Sequence, residues 1–145
     1  MKKVFKFVLW LILLLMVVSV GYIFIHWVPD RSVEGLKAEW AKPPSQFISV
    51  SGMQIHLRDE GPKHDETPIV LLHGTSASLH TWDGWVEALK GERRVIRFDL
   101  PGFGLTGPEA KNDYKVENYA RTVMAVLDHL KLENSVIVGN SLGGH

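Results

Sequence analysis

The chain has 145 residues, with 16 basic and 16 acidic side chains and no cysteine. The even charge balance, with no basic stripe, speaks against a nucleic-acid partner. The lack of cysteine removes a disulfide framework, a cysteine zinc site and a cysteine nucleophile from consideration.

Residues 1–6 form a basic flank carrying Lys2, Lys3 and Lys6, and no charge interrupts the chain from Phe7 to Ile25. A helix of this length nearly crosses a ~30 Å hydrocarbon core. Trp27 and Val28 extend the apolar stretch to 7–28, and Pro29 ends it. A transmembrane signal-anchor helix is expected there, with Trp10, Tyr22 and Trp27 toward the interfaces. The competing reading is a cleaved signal peptide, with Phe7–Val18 as its apolar region and Ser19-Val20-Gly21 as the small-x-small cleavage site. The apolar run continues through Ile23, Phe24 and Ile25, which favours the uncleaved anchor. Lysines before the stretch are nearly balanced by Arg31, Lys37 and Lys42 after it. The small bias points to a cytoplasmic N-terminus and an extracytoplasmic folded part, periplasmic in a bacterium. Residues 29–45 are expected to be a juxtamembrane linker, with a short helix over Val33–Ala41. Trp40 would dock on the folded part or on lipid headgroups.

Residues 46–145 read as the folded part. Phe47–Val50 and Gln54–Arg58 flank Ser51-Gly52-Met53, a β-hairpin pattern with glycine in the turn. His56 alternates with Ile55 and Leu57 and is expected on the solvent face. Pro68–Leu72 is a continuous apolar run of the kind buried on both faces of a parallel sheet. It leads into His73-Gly74-Thr75-Ser76, with His73 expected to organise the loop by bonding backbone. Leu79, Trp82, Trp85, Val86 and Leu89 recur at helical spacing, which places both tryptophans in the core. His80 is a candidate to face a pocket.

Val95–Phe98 is the next strand. Gly102-x-Gly104-x-x-Gly107 follows and matches the spacing of a dinucleotide fingerprint. Pro108 and a polar loop stand where the helix should open, so the match fails on context. The better reading is a glycine-rich loop lining the same cleft as the serine described next. Val116, Tyr119, Ala120, Val123, Met124, Leu127 and Leu130 then form an amphipathic stripe.

The last strand, Val136–Val138, stops at Gly139-Asn140-Ser141-Leu142-Gly143-Gly144. An apolar strand that ends in Gly-x-Ser-x-Gly and enters a helix is a nucleophile elbow. Gly139 and Gly143 give the strained turn room on either side of Ser141, and Gly144 lets the next turn approach. The amide of Leu142 would donate to a developing oxyanion. A second donor is expected from the loop after the Pro68–Leu72 strand, Thr75 first and Ser76 otherwise. Repeated β–α crossovers imply a mostly parallel sheet with helices on both faces, and a ligand crevice beyond the strands' carboxyl ends.

His-Gly-Thr-Ser at 73–76, Asp-Leu-Pro-Gly-Phe-Gly at 99–104 and Gly-Asn-Ser-Leu-Gly-Gly at 139–144 together resemble the α/β-hydrolase superfamily. The resemblance runs from about Phe47 to the end and implies the first half of that fold. It implies Ser141 as nucleophile, an oxyanion hole from Leu142 with Thr75 or Ser76, and support from His73, Gly74, Gly139 and Gly143. A serine at 141 argues against the dehalogenase and epoxide-hydrolase branches, where the resemblance leads one to expect aspartate. The triad runs serine, acid, histidine in chain order, so the acid and base are expected beyond residue 145. His145, on the helix expected after the elbow, is not placed to be the base. These residues alone are then expected to be inactive. The expected activity is hydrolysis of a carboxylic ester or related carbonyl substrate through an acyl-enzyme, with no cofactor and no metal. The alternative is a non-catalytic binding module on the same fold. Neither substrate nor oligomeric state is legible.

Overall fold

A computed structural model describes residues 2–29 and 31–145. Met1, in the basic flank, and Asp30, in the linker, lie outside the described residues. The chain divides into two compact units, Met1–Arg31 and Ser32–His145.

The first unit is one helix, α1 (Lys2–Ile25), with no buried residue. It is long and apolar enough to cross a membrane. It stops before Trp27 and Val28, which the apolar stretch includes. The residue before a proline is biased away from helical backbone, and Val28 precedes Pro29.

The second unit opens with α2 (Val33–Trp40), capped by the Ser32 hydroxyl, which accepts the Gly35 N–H at 3.2 Å. Five strands follow: β1 (Gln46–Val50), β2 (Met53–Glu60), β3 (Ile69–Leu72), β4 (Val95–Phe98) and β5 (Val136–Gly139). Their order is β1-β2-β4-β3-β5. β1, β2 and β4 pair antiparallel, and β3 pairs parallel with β4 on one side and β5 on the other. The hairpin turn is two residues, because Val50 pairs with Met53. Ser51 and Gly52 both have positive φ, 51° and 80°, the primed turn that matches strand twist.

The connections place helices on both faces. After β3 comes a 3₁₀ turn, Leu79–Trp82, and then α3 (Asp83–Leu89). Trp82 and Val86 pack there on Ile69, Leu71 and Val95. The opposite face carries α4 (Val116–His129), whose Val123, Val126 and Leu127 meet Ile55, Val70, Ile96 and Phe98. Helices on both faces of a mostly parallel sheet, reached by β–α crossovers, are the architecture expected from the sequence.

Three local expectations are corrected. Trp85 is 55% exposed and meets Trp82 edge-on, because α3 is two turns long and offers the sheet one narrow face. On α4 the buried face is Thr122, Val123, Val126 and Leu127, while Val116 and Met124 from the expected stripe are exposed. The buried arc is narrower than the apolar one and turned toward Val126.

His56 is the third correction. It is 1% exposed rather than on a solvent face. β2 is an interior strand, and its second face is covered by chain distant in sequence. His56 stacks on Phe47 and meets Ser45 and Asp99. The same face holds Arg97, whose guanidinium reaches Glu60, Asp83 and the Leu79 carbonyl.

Candidate active site

Ser141 follows β5 with φ +50° and is exposed. A non-glycine residue in that region carries strain of roughly 1–3 kcal/mol, which its surroundings must over-determine. They do so with backbone. Asn140 N–H donates to the Leu72 carbonyl and Gly143 N–H to the Asn140 carbonyl, both at 3.0 Å. A Cβ on Gly143 would lie 2.4 Å from the Leu72 carbonyl oxygen, so the turn after Ser141 lies against the end of β3. Gly144 differs from expectation: a Cβ there would meet Gly139 O at 3.5 Å, an ordinary contact. The chain after the serine forms a single 3₁₀ turn, Ser141–Gly144, rather than the helix expected. His145 follows that turn.

The loop after β3 is pressed against the elbow. A Cβ on Gly74 would be 3.2 Å from Ser141 Cβ and 3.1 Å from the Asn140 carbonyl oxygen. Thr75 and Ser76 are exposed, and Ser76 has φ +57°. His73 is fully buried. Its Nε2 accepts the Leu100 N–H at 3.0 Å, which makes Nδ1 the protonated nitrogen, donating to the Gly74 carbonyl at 2.8 Å. Both ring nitrogens are thus committed to backbone.

A feature not read from the sequence is the role of Asp99, 1% exposed at the end of β4. One carboxylate oxygen accepts the Leu79 N–H at 2.7 Å. The other accepts the Leu105 N–H and faces His56 Nδ1, each at 2.8 Å. Burial alone would raise its pKa, but hydrogen bonds from His56, Leu79 and Leu105 outweigh it and hold the group below the usual carboxylate value. Gly104, φ +51°, passes so close that a Cβ would be 2.2 Å from this carboxylate. That contact, not phosphate binding, requires the glycine. The signal available in the sequence was Asp99 itself, an acid directly after the Val95–Phe98 strand and at the head of the glycine-rich loop.

Two concavities flank these elements. A trough of about 470 Å³ beside the elbow is lined by Leu72, Tyr119, Met124, Ile137, Leu142 and His145 among others. A smaller cavity of about 200 Å³ is lined by Leu36, Trp40, Ser78, His80, Asp99 and Gly104 among others. The loop after β4 reaches both: Leu100 lines the trough, and Asp99, Gly104 and Leu105 line the smaller cavity. Trp40 sits edge-on to His80 at 5.3 Å, so it docks on the folded unit. Burial, with Arg58 nearby, holds the His80 pKa below its ordinary value despite Asp83 and Asp99. Among the described residues no group of three or more His, Asp or Glu side chains is placed to hold a metal.

The model of the alpha/beta hydrolase fold family matches residues 67–145. The chain belongs to the α/β-hydrolase family. It is 33% identical to a 2-hydroxy-6-oxo-2,4-heptadienoate hydrolase of Pseudomonas putida over 68% of this chain and 36% of the relative. It superposes on the Cif epoxide hydrolase of Acinetobacter nosocomialis with TM-score 0.66 and 27% identity, over 77% of this chain and 36% of the other. It also superposes on a membrane phospholipase A, a bacterial virulence factor, with TM-score 0.68 and 26% identity. That likeness covers 100% of this chain and 46% of the other. The chain spans about a third of the length of the curated relatives it matches. Hydrolases of this fold act on small molecules by several chemistries, and these neighbours include an epoxide hydrolase. Family membership makes the chain hydrolase-like without selecting among them.

Proposed function

We propose that this chain carries the nucleophile of a membrane-anchored serine hydrolase acting on a carboxylic ester through an acyl-enzyme. The observation that carries the reading is Ser141, exposed at φ +50° on a turn whose neighbours admit only glycine at 139 and 143. A hydroxyl held out on a strained, backbone-locked turn is organised for attack rather than for packing. On this reading Ser141 Oγ attacks the carbonyl carbon, and the amides of Leu142 and of Thr75 or Ser76 receive the negative oxygen. The closeness of Gly74 to Ser141 supports the pairing of those two segments. His73 is not the base, since both its nitrogens are engaged. In this fold the base follows the serine in the chain.

Serine at 141 favours acyl transfer over the epoxide and dehalogenase chemistries. The apolar α1 and the whole-chain likeness to a membrane phospholipase A favour an anchor at 7–28 and an ester presented at a bilayer surface.

The test is active-site labelling of the full-length protein with a fluorophosphonate. Label should map to the elbow peptide. Ser141→Ala should abolish it and lower kcat on the order of 10⁶-fold. A folded protein that takes no label would instead be a binding module.

A further inference from the structure

We propose that Ser45, His56 and Asp99 form a positioning relay that ties the segment leaving α2 to the loop after β4 and, through it, to the 73–78 loop packed against Ser141. The inference rests on the reading of Ser141 as nucleophile.

The relay begins in the linker. Arg58 Nε donates to Ser45 Oγ at 3.0 Å, and Ser45 Oγ lies 2.8 Å from His56 Nε2. The Arg58 guanidinium also reaches the carbonyl of Lys42 at 3.3 Å, so this part of the linker is fixed at more than one point. His56 Nδ1 is 2.8 Å from the Asp99 carboxylate. With the imidazole neutral, each group has one role. Asp99 can only accept, so Nδ1 carries the proton and donates. Nε2 then accepts the Ser45 hydroxyl proton, while the Ser45 oxygen accepts from Arg58.

The relay ends in two loops. Leu79 N–H, on one Asp99 oxygen, opens the 3₁₀ turn that terminates the 73–78 loop. Leu105 N–H, on the other, belongs to the 99–107 loop. Leu100 N–H in turn holds His73, whose ring fixes the Gly74 carbonyl. Gly74 is the residue packed against Ser141. A shift of Asp99 therefore moves both anchors of the segment proposed to carry the second oxyanion donor.

Cohesion alone does not call for this arrangement. Replacing buried ionic or polar groups with apolar residues of the same volume is often neutral or stabilising, and in some proteins what such groups add is a single geometry. A second link runs in parallel. His56 N–H donates to Thr106 Oγ1 at 3.0 Å, and that hydroxyl donates to the Asp99 carbonyl at 2.8 Å. β2 thus grips both the side chain and the backbone of Asp99.

The experiment uses the full-length protein and the variants Ser45→Ala, Ser45→Thr and Asp99→Asn, with Ser49→Ala, an exposed position of β1, as control. Hydrogen exchange is read on peptides covering 73–80 and 99–107, and fluorophosphonate labelling rate is read per folded molecule. With a short soluble ester, kcat and KM are measured separately. Ser45→Ala should speed exchange in both loops and slow labelling several-fold, with kcat lowered and KM unchanged. Ser45→Thr should restore both. Asp99→Asn, which leaves one loop amide without an acceptor, should slow labelling by about tenfold or more, as small displacements of catalytic groups do. Should Asp99→Asn not fold, the Ser45 pair decides alone. Variants that fold, exchange and label like the control would overturn the relay. A wild-type protein that takes no label at Ser141 would overturn the hydrolase reading instead, and exchange would still report whether Ser45 is coupled to the loops.

Discussion

A Cβ placed on Gly139 would lie 1.9 Å from the carbonyl oxygen of Gly143. No side-chain rotation relieves that contact, because both partners are backbone. Gly139→Ala should therefore cost about 3 kcal/mol or more in denaturant unfolding, the upper part of the range for overpacking. It should also abolish labelling at Ser141. Gly144→Ala is the contrast. Its Cβ would meet only an ordinary contact, and the variant should stay within about 1 kcal/mol of wild type.

Low pH should unfold the second unit through its carboxylates. Asp65 is held at about 2 by the Arg93 guanidinium first, then by the Arg94 and Thr67 amides. Asp59 is also lowered: burial would raise it, but hydrogen bonds from Arg94 and Lys63 prevail. Asp99 shifts the same way. Each folded pKa lies below the unfolded value of about 3.9, so the unfolded state binds more protons between them. These groups contribute their full stability above pH ~4 and lose it as pH falls toward 2. Asp65→Asn should flatten the denaturant midpoint against pH across that window. A slope unchanged by the substitution would refute the assignment.

The elbow and the apolar strands were legible because their causes are local. Gly-x-Ser-x-Gly encodes its own close approaches, and the continuous apolar run Ile69–Leu72 needs no partner to announce a buried strand. His56 was not legible. Period-two alternation tells which residues share a face, not whether that face is covered. Its cover, from Ser45, Phe47 and Asp99, comes from segments as far as 43 residues away. The glycines at 102–107 have a ligand-binding spacing that their context argued against, and the structure supplies the cause: Gly104 answers to the neighbouring Asp99 carboxylate.

Full-length protein should sediment with membranes and resist carbonate, leaving only with detergent, since α1 has 24 residues and no charge beyond Lys6. N-terminal sequencing should return the intact start. A soluble product beginning at Tyr22 would establish signal cleavage instead.

β5 presents Val136 at 46% and Ile137 at 49% exposure on a sheet edge, beside the apolar trough. Residues 32–145 expressed alone should self-associate through this surface. Ile137→Lys should reduce light scattering without altering any strand hydrogen bond. Monodisperse behaviour of the unsubstituted segment would show the edge to be harmless.

The strand order carries a consequence for synthesis on the ribosome. β3 lies between β4 and β5, and both of its neighbours follow it in the chain. Its four buried residues, Ile69 to Leu72, are thus made before either surface that covers them. At roughly 5–20 residues per second, β4 arrives some one to five seconds later and β5 several seconds after that. Through that interval the hairpin of β1 and β2 can form but has no third strand to join. The nascent chain holds an unpaired apolar segment in the window when chaperones would engage it, and slowing translation between Leu72 and Val95 should lower the soluble yield.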